Sequence, residues 1–289
     1  MQNQFSHKPD LSDPLDYFVI GHLTEDLTES GIRLGGTAAF SGLTSQALGL
    51  KTGILSSHRS DLDVSALNSI WMKKKESRTT TTFKNISNGV TRKQYLFDRA
   101  ETIKPDDVPD FSQTPSIVHL GPVANEIDPE ILSAFPNSLK CLTPQGWFRF
   151  TNDQNQVGLN RWQDAEKYLS QADIAVISID DVLRDESYIA SMASTIPVFV
   201  VTENYHGARI YWHYDARFIN APEVKYVDDT GAGDIFATAF FYRYSLTKDP
   251  WEAGRFAVLL ASWSVTRSHL DSIPTADEIE KAKLEIIGY

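Results

Sequence analysis

The run from Asp228 to Asp234 has the residue types needed to hold and transfer a phosphoryl group. Gly231 and Gly233 flank Ala232, and Asp234 opens an apolar stretch of helical composition. Glycines let the backbone turn several N–H groups toward an anion, and the start of a helix adds its positive dipole. Asp234 at that point is expected to stay ionised and to accept a hydroxyl proton. Taken alone, the run also fits a plain turn with a capping aspartate.

Short apolar runs that alternate with helical segments must position these residues. This alternation predicts an α/β fold with a mostly parallel sheet and helices on both faces. Strands are expected at 15–21, 51–56, 116–120, 139–142, 173–179, 196–202, 208–213 and 217–220. Helices are expected at 37–50, 61–74, 129–135, 160–171, 184–194, 234–246, 250–267 and 276–286.

One region breaks the alternation. Residues 79–84 and 90–97 are polar, strand-like runs, and Asn88-Gly89 between them is a strong hairpin signal. Their polarity excludes them from the centre of the main sheet. We interpret residues 79–98 as a small β lid, with a contribution from 22–34, on a core domain of 1–78 and 99–289. The alternative is a surface hairpin without a role.

The full run Asp228-Asp-Thr-Gly-Ala-Gly-Asp234 resembles the signature of the ribokinase-like, or pfkB-type, carbohydrate kinases. The resemblance implies a three-layer αβα sandwich with a small β lid. It also implies that Asp234 is the catalytic base and that the amides of Gly231, Ala232 and Gly233 form an anion hole. Asp228 would shape the loop and the metal environment.

Other segments extend the resemblance over nearly the whole chain. Gly21 to Asp26 is similar to the first strand of that family, and Leu34 to Leu43 is similar to its Gly-Gly signature. The resemblance implies a substrate site made by Asp26, Gly35, Gly36, Phe40, Arg92 and Gln145. It implies a nucleotide site made by Thr202, Asn204, Gly207, Thr230, Ser262 and His269.

Some positions depart from the usual family pattern. Phe40 stands where an Asn is common, and the Gln145-Gly146 segment accompanies it in myo-inositol kinase-like members, which favours a cyclitol acceptor. In the run Ser178-Ile-Asp-Asp181, Asp181 keeps a carboxylate for metal support through water. Asn204 replaces a Gly, and Asn tolerates the left-handed backbone that such a turn needs. Trp147 fits either the core or the wall of a sugar pocket.

Composition narrows the function classes. The formal net charge of −11 over 289 residues argues against a nucleic-acid or anionic-membrane surface. The single cysteine, Cys141, excludes an internal disulfide, and we expect it to be buried in a strand. The histidines lack metal-binding spacing. Because the first residues are polar and no long apolar stretch occurs, a cytoplasmic location is expected.

These features predict an ATP-dependent phosphotransferase that acts on a hydroxyl of a small sugar or cyclitol. Mg²⁺ is the expected cofactor, with a monovalent cation as an option, and Asp181 and Asp228 would support the metal through water. The alternatives are a nucleoside kinase or other sugar kinase, or a non-catalytic sugar- or nucleotide-binding relative. A monomer and a homodimer formed through the lid are both compatible with the sequence.

Overall fold

The structure, a computed structural model, describes residues 14–29, 31–87 and 92–284, without the side chains of Ser87 and Arg92. The Asn88-Gly89 turn lies outside the described residues. The Arg92 side chain, predicted to bind substrate, lies outside them as well.

A nine-stranded sheet forms the centre of the molecule. Its strands, in spatial order, are β15 (Asp215–Asn220), β14 (Gly207–Trp212), β13 (Val198–Thr202), β12 (Ile174–Ser178), β9 (Leu139–Leu142), β8 (Ile117–Leu120), β1 (Tyr17–Ile20), β4 (Thr52–His58) and β5 (Trp71–Glu76). Neighbouring strands run parallel from β13 to β5, whereas β14 and β15 continue the sheet antiparallel. The predicted mostly parallel sheet is confirmed.

Helices cover both faces of this sheet. They are α1 (Thr37–Ala47), α2 (Ala165–Leu169), α3 (Glu186–Ala193), α4 (Ala232–Thr247), α5 (Pro250–Ser264) and α6 (Ala276–Lys283). Alternate residues of β1 enter different cores: Tyr17 and Val19 pack with α1, α4, α5 and α6, whereas Phe18 and Ile20 pack with α2 and α3. This period of two is what a strand buried on both faces requires.

A second sheet of four strands stands apart from the central one. Its order is β3 (Gly31–Gly35), β2 (Thr24–Thr28), β6 (Thr81–Ser87) and β7 (Arg92–Asp98). A further hairpin of β10 (Arg149–Thr151) and β11 (Val157–Leu159) contacts β7. There the amide of Leu96 donates to the Asn155 carbonyl at 2.9 Å. The strands near 24–35 and the predicted hairpin therefore form one small sheet.

The helix predicted at 61–74 is wrong. The segment holds a short 3₁₀ turn at Ser65–Leu67, and then β5 pairs in parallel with β4. Val64, Leu67 and Trp71 have helical spacing, but pairing at the sheet edge decides the conformation. The three lysines from Lys73 to Lys75 thus lie on an edge strand and not at a helix end. Charged edge strands discourage pairing with other chains.

Several other predictions differ only in extent. The helix expected at 129–135 is a 3₁₀ helix over Pro129–Ala134, and the helix expected at 160–171 is restricted to α2. Cys141 is buried in β9, as predicted. Trp147 belongs to the core, since it stacks on Trp162 and donates to the Ile127 carbonyl at 2.9 Å.

Among the described residues, no helix combines the length and apolar character needed to cross a bilayer.

Candidate active site

The candidate site lies at the carboxyl edge of the parallel strands. Gly21 follows β1, Gly121 follows β8, and Asp181 follows β12 after a short turn. In open α/β sheets, ligands bind in the crevice outside the carboxyl ends of the strands. Gly21 and Gly121 pack tightly here, because a Cβ on Gly21 would lie 2.7 Å from the Gly121 carbonyl oxygen. The fold thus brings the predicted motifs to one edge.

The anion loop, residues 228–234, is shaped by Asp228. One Asp228 oxygen accepts hydrogen bonds from the Thr230 amide and hydroxyl, at 3.0 and 2.7 Å. The other accepts from the His269 amide at 3.1 Å and the Ser268 hydroxyl at 3.2 Å. Partial burial opposes ionisation, but the bonds from Thr230, His269 and Ser268 outweigh it and lower the Asp228 pKa. Both oxygens are therefore engaged, and this geometry does not support the predicted metal role.

The loop turns into α4 at Gly231, whose φ of 81° lies in the left-handed region. A Cβ on Gly231 would lie 2.1 Å from the Phe40 ring. By contrast, a Cβ on Gly233 would meet nothing within 4 Å. The Ala232 amide already donates to the Asp229 carbonyl at 3.1 Å. The amides of Gly231 and Gly233 are therefore better candidates for an anion than the amide of Ala232.

Phe40 lies beneath the anion loop. Its side chain is only 2% exposed, and it packs against Gly231 and edge-on to the His269 ring, with ring centroids 5.8 Å apart. His269 also bonds through Nε2 to the Leu34 carbonyl at 2.7 Å. Phe40 and His269 thus tie the anion loop to α1 and β3. These contacts differ from the substrate and adenine contacts predicted for the two residues.

Asp234 lies at the centre of the site. Burial raises its pKa to about 6; the hydrogen bond from Thr37 and the charge of Arg149 lower it, and the charges of Asp181 and Asp26 raise it. Desolvation is thus the largest influence on this carboxylate, and it opposes the ionised state that a helix start favours. A pKa near 6 leaves Asp234 ionised at neutral pH and able to take up a proton, as a general base must.

Two helix N-termini meet around Asp234. Thr37 is the first residue of α1 and Asp234 lies in the first turn of α4, so the Thr37–Asp234 hydrogen bond joins the two helix starts. Gly36 caps α1 with a φ of 89°, and a Cβ there would lie 2.3 Å from the His22 carbonyl oxygen. Both dipoles point their positive ends toward the space in front of Asp234.

Arg149 supplies a positive charge that the sequence reasoning left without a role. It is the first residue of β10 and follows the Gln145-Gly146 segment. One of its Nη atoms donates to the Val123 carbonyl at 2.8 Å, and its guanidinium lies 5.9 Å from the Phe83 ring centroid. Its charge lowers the pKa of both Asp181 and Asp234. The sequence signal that could have indicated a role for Arg149 was its position shortly after the Gln145-Gly146 segment.

Two of the predicted substrate residues, Asp26 and Gly35, meet on the small sheet. Asp26 lies on β2, and its carboxylate is so close to Gly35 that a Cβ there would lie 2.3 Å from Oδ2. The register places Asp26 beside Phe83, and Phe83 opposite Leu96. The charge of Asp26 raises the pKa of Asp234, so the two carboxylates sense one another.

A narrow cavity of about 10 Å³ opens between the small sheet and the core. Its lining residues are Phe83, Leu96, Val123, Ala124, Arg149, Thr151 and Val157. The wall is mainly apolar, with Arg149 as its charged member. Phe83 and Leu96, like Arg149, were not among the predicted site residues.

Asp181 is the candidate for metal support. It is 8% exposed, and burial raises its pKa against the opposing influences of Arg149, the Ser178 amide and Gln145. Gln145 donates to it at 3.2 Å, so this predicted substrate residue contacts Asp181. Among the described residues, no group of three or more His, Cys, Asp or Glu could hold a metal directly. A carboxylate and an amide oxygen suit Mg²⁺ bound partly through water.

The predicted nucleotide residues fall into two groups. Thr202 ends β13, Gly207 begins β14, and Asn204 lies in the connection between them. Asn204 has the expected left-handed φ of 53° and donates to the Asp180 carboxylate at 3.0 Å. Thr230 belongs to the anion loop, and Ser262 is buried on α5. We call these two groups the donor side of the site, after the nucleotide role that the sequence predicts for them.

Comparison with known proteins agrees with this architecture. Residues 159–276 match the sequence model of the pfkB family carbohydrate kinases. A pyrophosphate-dependent kinase of the ribokinase family, complexed with a pyrophosphate analogue and myo-inositol, superposes with a TM-score of 0.78. That protein is 19% identical, and the match covers 92% of this chain and 99% of the other. No curated protein sequence matches the chain.

Two further solved structures have the same fold. Ribokinase from Thermotoga maritima has a TM-score of 0.71 and 20% identity, over 93% of this chain and 99% of the other. The nucleoside kinase of Methanocaldococcus jannaschii has a TM-score of 0.67 and 18% identity, over 93% and 98%. Residues 159–276 therefore resemble the pfkB family carbohydrate kinases, and the chain has the ribokinase-like fold that its motifs predicted.

Proposed function

We propose that this protein transfers a phosphoryl group from ATP to a hydroxyl of a small sugar or cyclitol, with a myo-inositol-like acceptor favoured. The observation that carries the proposal is Asp234 at the meeting point of two helix starts, with Thr37 bonded to it and its pKa near 6. The pfkB match over residues 159–276 supports the class of reaction.

Each part of the site has a task in this proposal. The acceptor lies between the small sheet and the core, where Asp26 accepts hydrogen bonds from its hydroxyls. Asp234 accepts the proton of the attacking hydroxyl. The amides of Gly231 and Gly233 and the guanidinium of Arg149 stabilise the charge on the moving phosphoryl group. Closure of the small sheet excludes water as a competing acceptor.

Mg²⁺ fits the carboxylate of Asp181 and the amide oxygen of Gln145. When bound, the metal would neutralise phosphate charge, as it does in other phosphoryl transfers. Because Asp228 is occupied by four hydrogen bonds, we assign the metal to the Asp181 side of the site.

The lean toward a cyclitol has two supports. The first is the pair Phe40 and Gln145, which resemble the residues of myo-inositol kinase-like proteins at these positions. The second is that two of the similar structures are described with myo-inositol or as inositol kinases. One of these is a pyrophosphate-dependent myo-inositol-1 kinase converted into a myo-inositol-3 kinase by two substitutions to leucine, with a TM-score of 0.76. By analogy, the apolar side chains of Phe83 and Leu96 would influence which hydroxyl of the acceptor reacts in this protein.

Inorganic pyrophosphate is the second candidate donor. It is favoured by the structural likeness to a pyrophosphate-dependent kinase, whereas a similar sugar kinase from Pyrococcus horikoshii is described in complex with ATP. Both donors present a diphosphate to the anion loop.

The test is a product assay with each donor against sugars, cyclitols and nucleosides. We expect phosphorylation of a cyclitol or sugar with ATP, and Asp234→Asn should lower kcat by about 10³-fold or more. The matched control is Asp277→Asn, an exposed first-turn aspartate of α6, which should keep full activity. Binding of ATP without phosphorylation of any acceptor would instead indicate the non-catalytic relative. Undiminished turnover in Asp234→Asn would exclude the assigned base.

A further inference from the structure

Glu126 is a buried carboxylate without a task in the proposed reaction. Its side chain is 0% exposed and lies between β8 and the 3₁₀ helix at 129–134. The Val123 amide donates to both of its oxygens, at 2.9 and 3.0 Å, and the Ala124 amide donates to Oε2 at 2.5 Å. The His22 amide also donates to Oε1, at 3.4 Å. A buried carboxylate is tolerated only with such partners.

These amides belong to two different loops at the carboxyl edge of the sheet. His22 follows β1 and leads into β2, which carries Asp26. Val123 and Ala124 follow β8 and line the cavity beside the small sheet. A single side chain thus joins segments that are 104 residues apart in sequence.

The carbonyl groups of the same loop hold two arginines. The Val123 carbonyl accepts from Arg149 at 2.8 Å, and the Ala124 carbonyl accepts from Arg99 at 3.4 Å. The loop therefore has a carboxylate on its N–H side and guanidinium groups on its C=O side. Each bond polarises the peptide groups in the sense that strengthens the other.

The backbone at Glu126 is itself anchored. Its carbonyl accepts from the Ile103 amide at 2.9 Å, and the Asp128 amide donates back to the Ile103 carbonyl at 2.9 Å. Ile103 is fully buried. The Glu126 side chain therefore reaches its amide partners from a fixed point.

We propose that Glu126 is a positioning residue. It fixes the loop at 121–124 so that the Val123 carbonyl holds Arg149 beside Asp181 and Asp234, and it fixes the start of β2 behind Asp26. The kinetic consequence rests on the proposed function, but the placement of Arg149 can be measured without turnover.

The test replaces Glu126 by Gln. The amide keeps one accepting oxygen and turns an NH₂ group toward backbone N–H groups, so the loop loses part of its support. Arg149 then moves, and its influence on Asp234 weakens. We expect the pH midpoint of the Asp234 carboxyl ¹³C resonance to rise toward its value in Arg149→Met. The kcat should fall by about 10-fold or more, because small displacements of reacting groups are costly.

Two further variants make the test decisive. Glu126→Asp shortens the side chain by one methylene and should shift the same midpoint in the same direction; it serves if Glu126→Gln does not fold. Glu130→Gln is the control, because Glu130 lies nearby on the surface and pairs only with Lys167 and Tyr168 among the bonds described for its side chain. It should change neither the midpoint nor kcat.

Folded Glu126 variants with the wild-type Asp234 midpoint would overturn the positioning role. If wild-type protein phosphorylates nothing, the proposed function fails, yet the resonance still decides whether Glu126 positions Arg149. A shifted midpoint with an unchanged kcat would show that Glu126 positions Arg149, but would overturn the claim that this positioning affects turnover.

Discussion

The two sides of the candidate site are built in different ways. The anion loop is one continuous run, shaped by bonds within it, by Ser268 and His269, and by Phe40 beneath it. The acceptor wall, which we define as Asp26, Phe83, Leu96, Val123 and Arg149, comes from five separate segments. In the proposed reaction the loop acts through its backbone geometry, whereas the wall acts through side chains placed by distant contacts. Substitutions in the loop should therefore lower stability and turnover together. Substitutions in the wall should lower turnover with little change in stability.

Among the variants that compare the loop with the wall, Arg149→Met in the acceptor wall should cause the largest loss of kcat. Methionine keeps much of the apolar stem but removes the charge near Asp234 and Asp181. We expect kcat to fall by about 10²- to 10³-fold, the usual loss for a group that stabilises transition-state charge. Steady-state kinetics and thermal unfolding measure the two properties. Arg161→Met, which removes an exposed arginine paired with Asp185, is the control and should retain activity.

A large loss of stability in Arg149→Met with little loss of kcat would reverse this assignment, because Arg149 would then serve only the packing of the loop at 121–124.

The next largest effect is expected from Gly231→Ala in the anion loop. Alanine is strained at a φ of 81°, and its methyl group would lie 2.1 Å from the Phe40 ring. We expect the free energy of unfolding to fall by about 2–4 kcal/mol, from backbone strain and overpacking together, and activity to fall with it. Denaturant unfolding measures this change.

Gly233→Ala is the matched comparison, because its Cβ meets nothing within 4 Å. We expect unchanged or slightly higher stability, since alanine favours helices by about 1 kcal/mol. We also expect weaker donor binding, since the methyl group occupies the space before the amides. Equal destabilisation of both variants would contradict the difference drawn between the two glycines.

The turn and helix start in the run 228–234 could be predicted because they depend on neighbouring residues. A left-handed glycine, a helix start and an aspartate at fixed spacing can be recognised within seven residues. Most of the central sheet was also predictable, since strands buried on both faces are continuous apolar runs such as those at 17–20 and 198–202. In these segments local preference and tertiary packing favour the same structure.

The acceptor wall could not be predicted in the same way. Arg149 gains its role from the Val123 carbonyl and from carboxylates far along the chain, and no spacing records that proximity. The strand at 71–76 was missed for a related reason, since parallel pairing with β4 overrides helical spacing. The β10–β11 hairpin was also missed, although the Asn152 to Asn155 turn between its strands was a usable signal.

A third prediction concerns pH and compares the two sides through Asp234. Because the base must be ionised, kcat should fall as pH drops through about 6, its pKa here. The free energy of unfolding should change in the opposite direction and rise as pH drops. The folded-state pKa exceeds the unfolded value of about 3.9, so the folded state binds the proton more tightly and loses stability as pH rises from about 4 to 6.

Asp234→Asn removes that cost, and we expect it to be about 1 kcal/mol more stable than the wild type at pH 7.5. Thermal unfolding at pH 4.5 and 7.5 checks the sign, and a kcat profile from pH 5 to 8 checks the base. A flat profile would mean that Asp234 is not the group that titrates in turnover.

The smallest effect is expected from Asn204 on the donor side. Asn204→Gly keeps the left-handed turn but removes the amide that donates to Asp180. The loss of one exposed hydrogen bond is worth about 1 kcal/mol or less, so the donor KM should rise by only a few-fold. Asn204→Ala also loses the amide and adds about 1 kcal/mol of left-handed backbone strain, so its donor KM should rise further.

In both variants the acceptor KM should stay unchanged, because Asn204 has no contact with the acceptor wall among the bonds described for it. A change in acceptor KM equal to that in donor KM would show that Asn204 also influences the acceptor wall, and its assignment to the donor side would then be wrong.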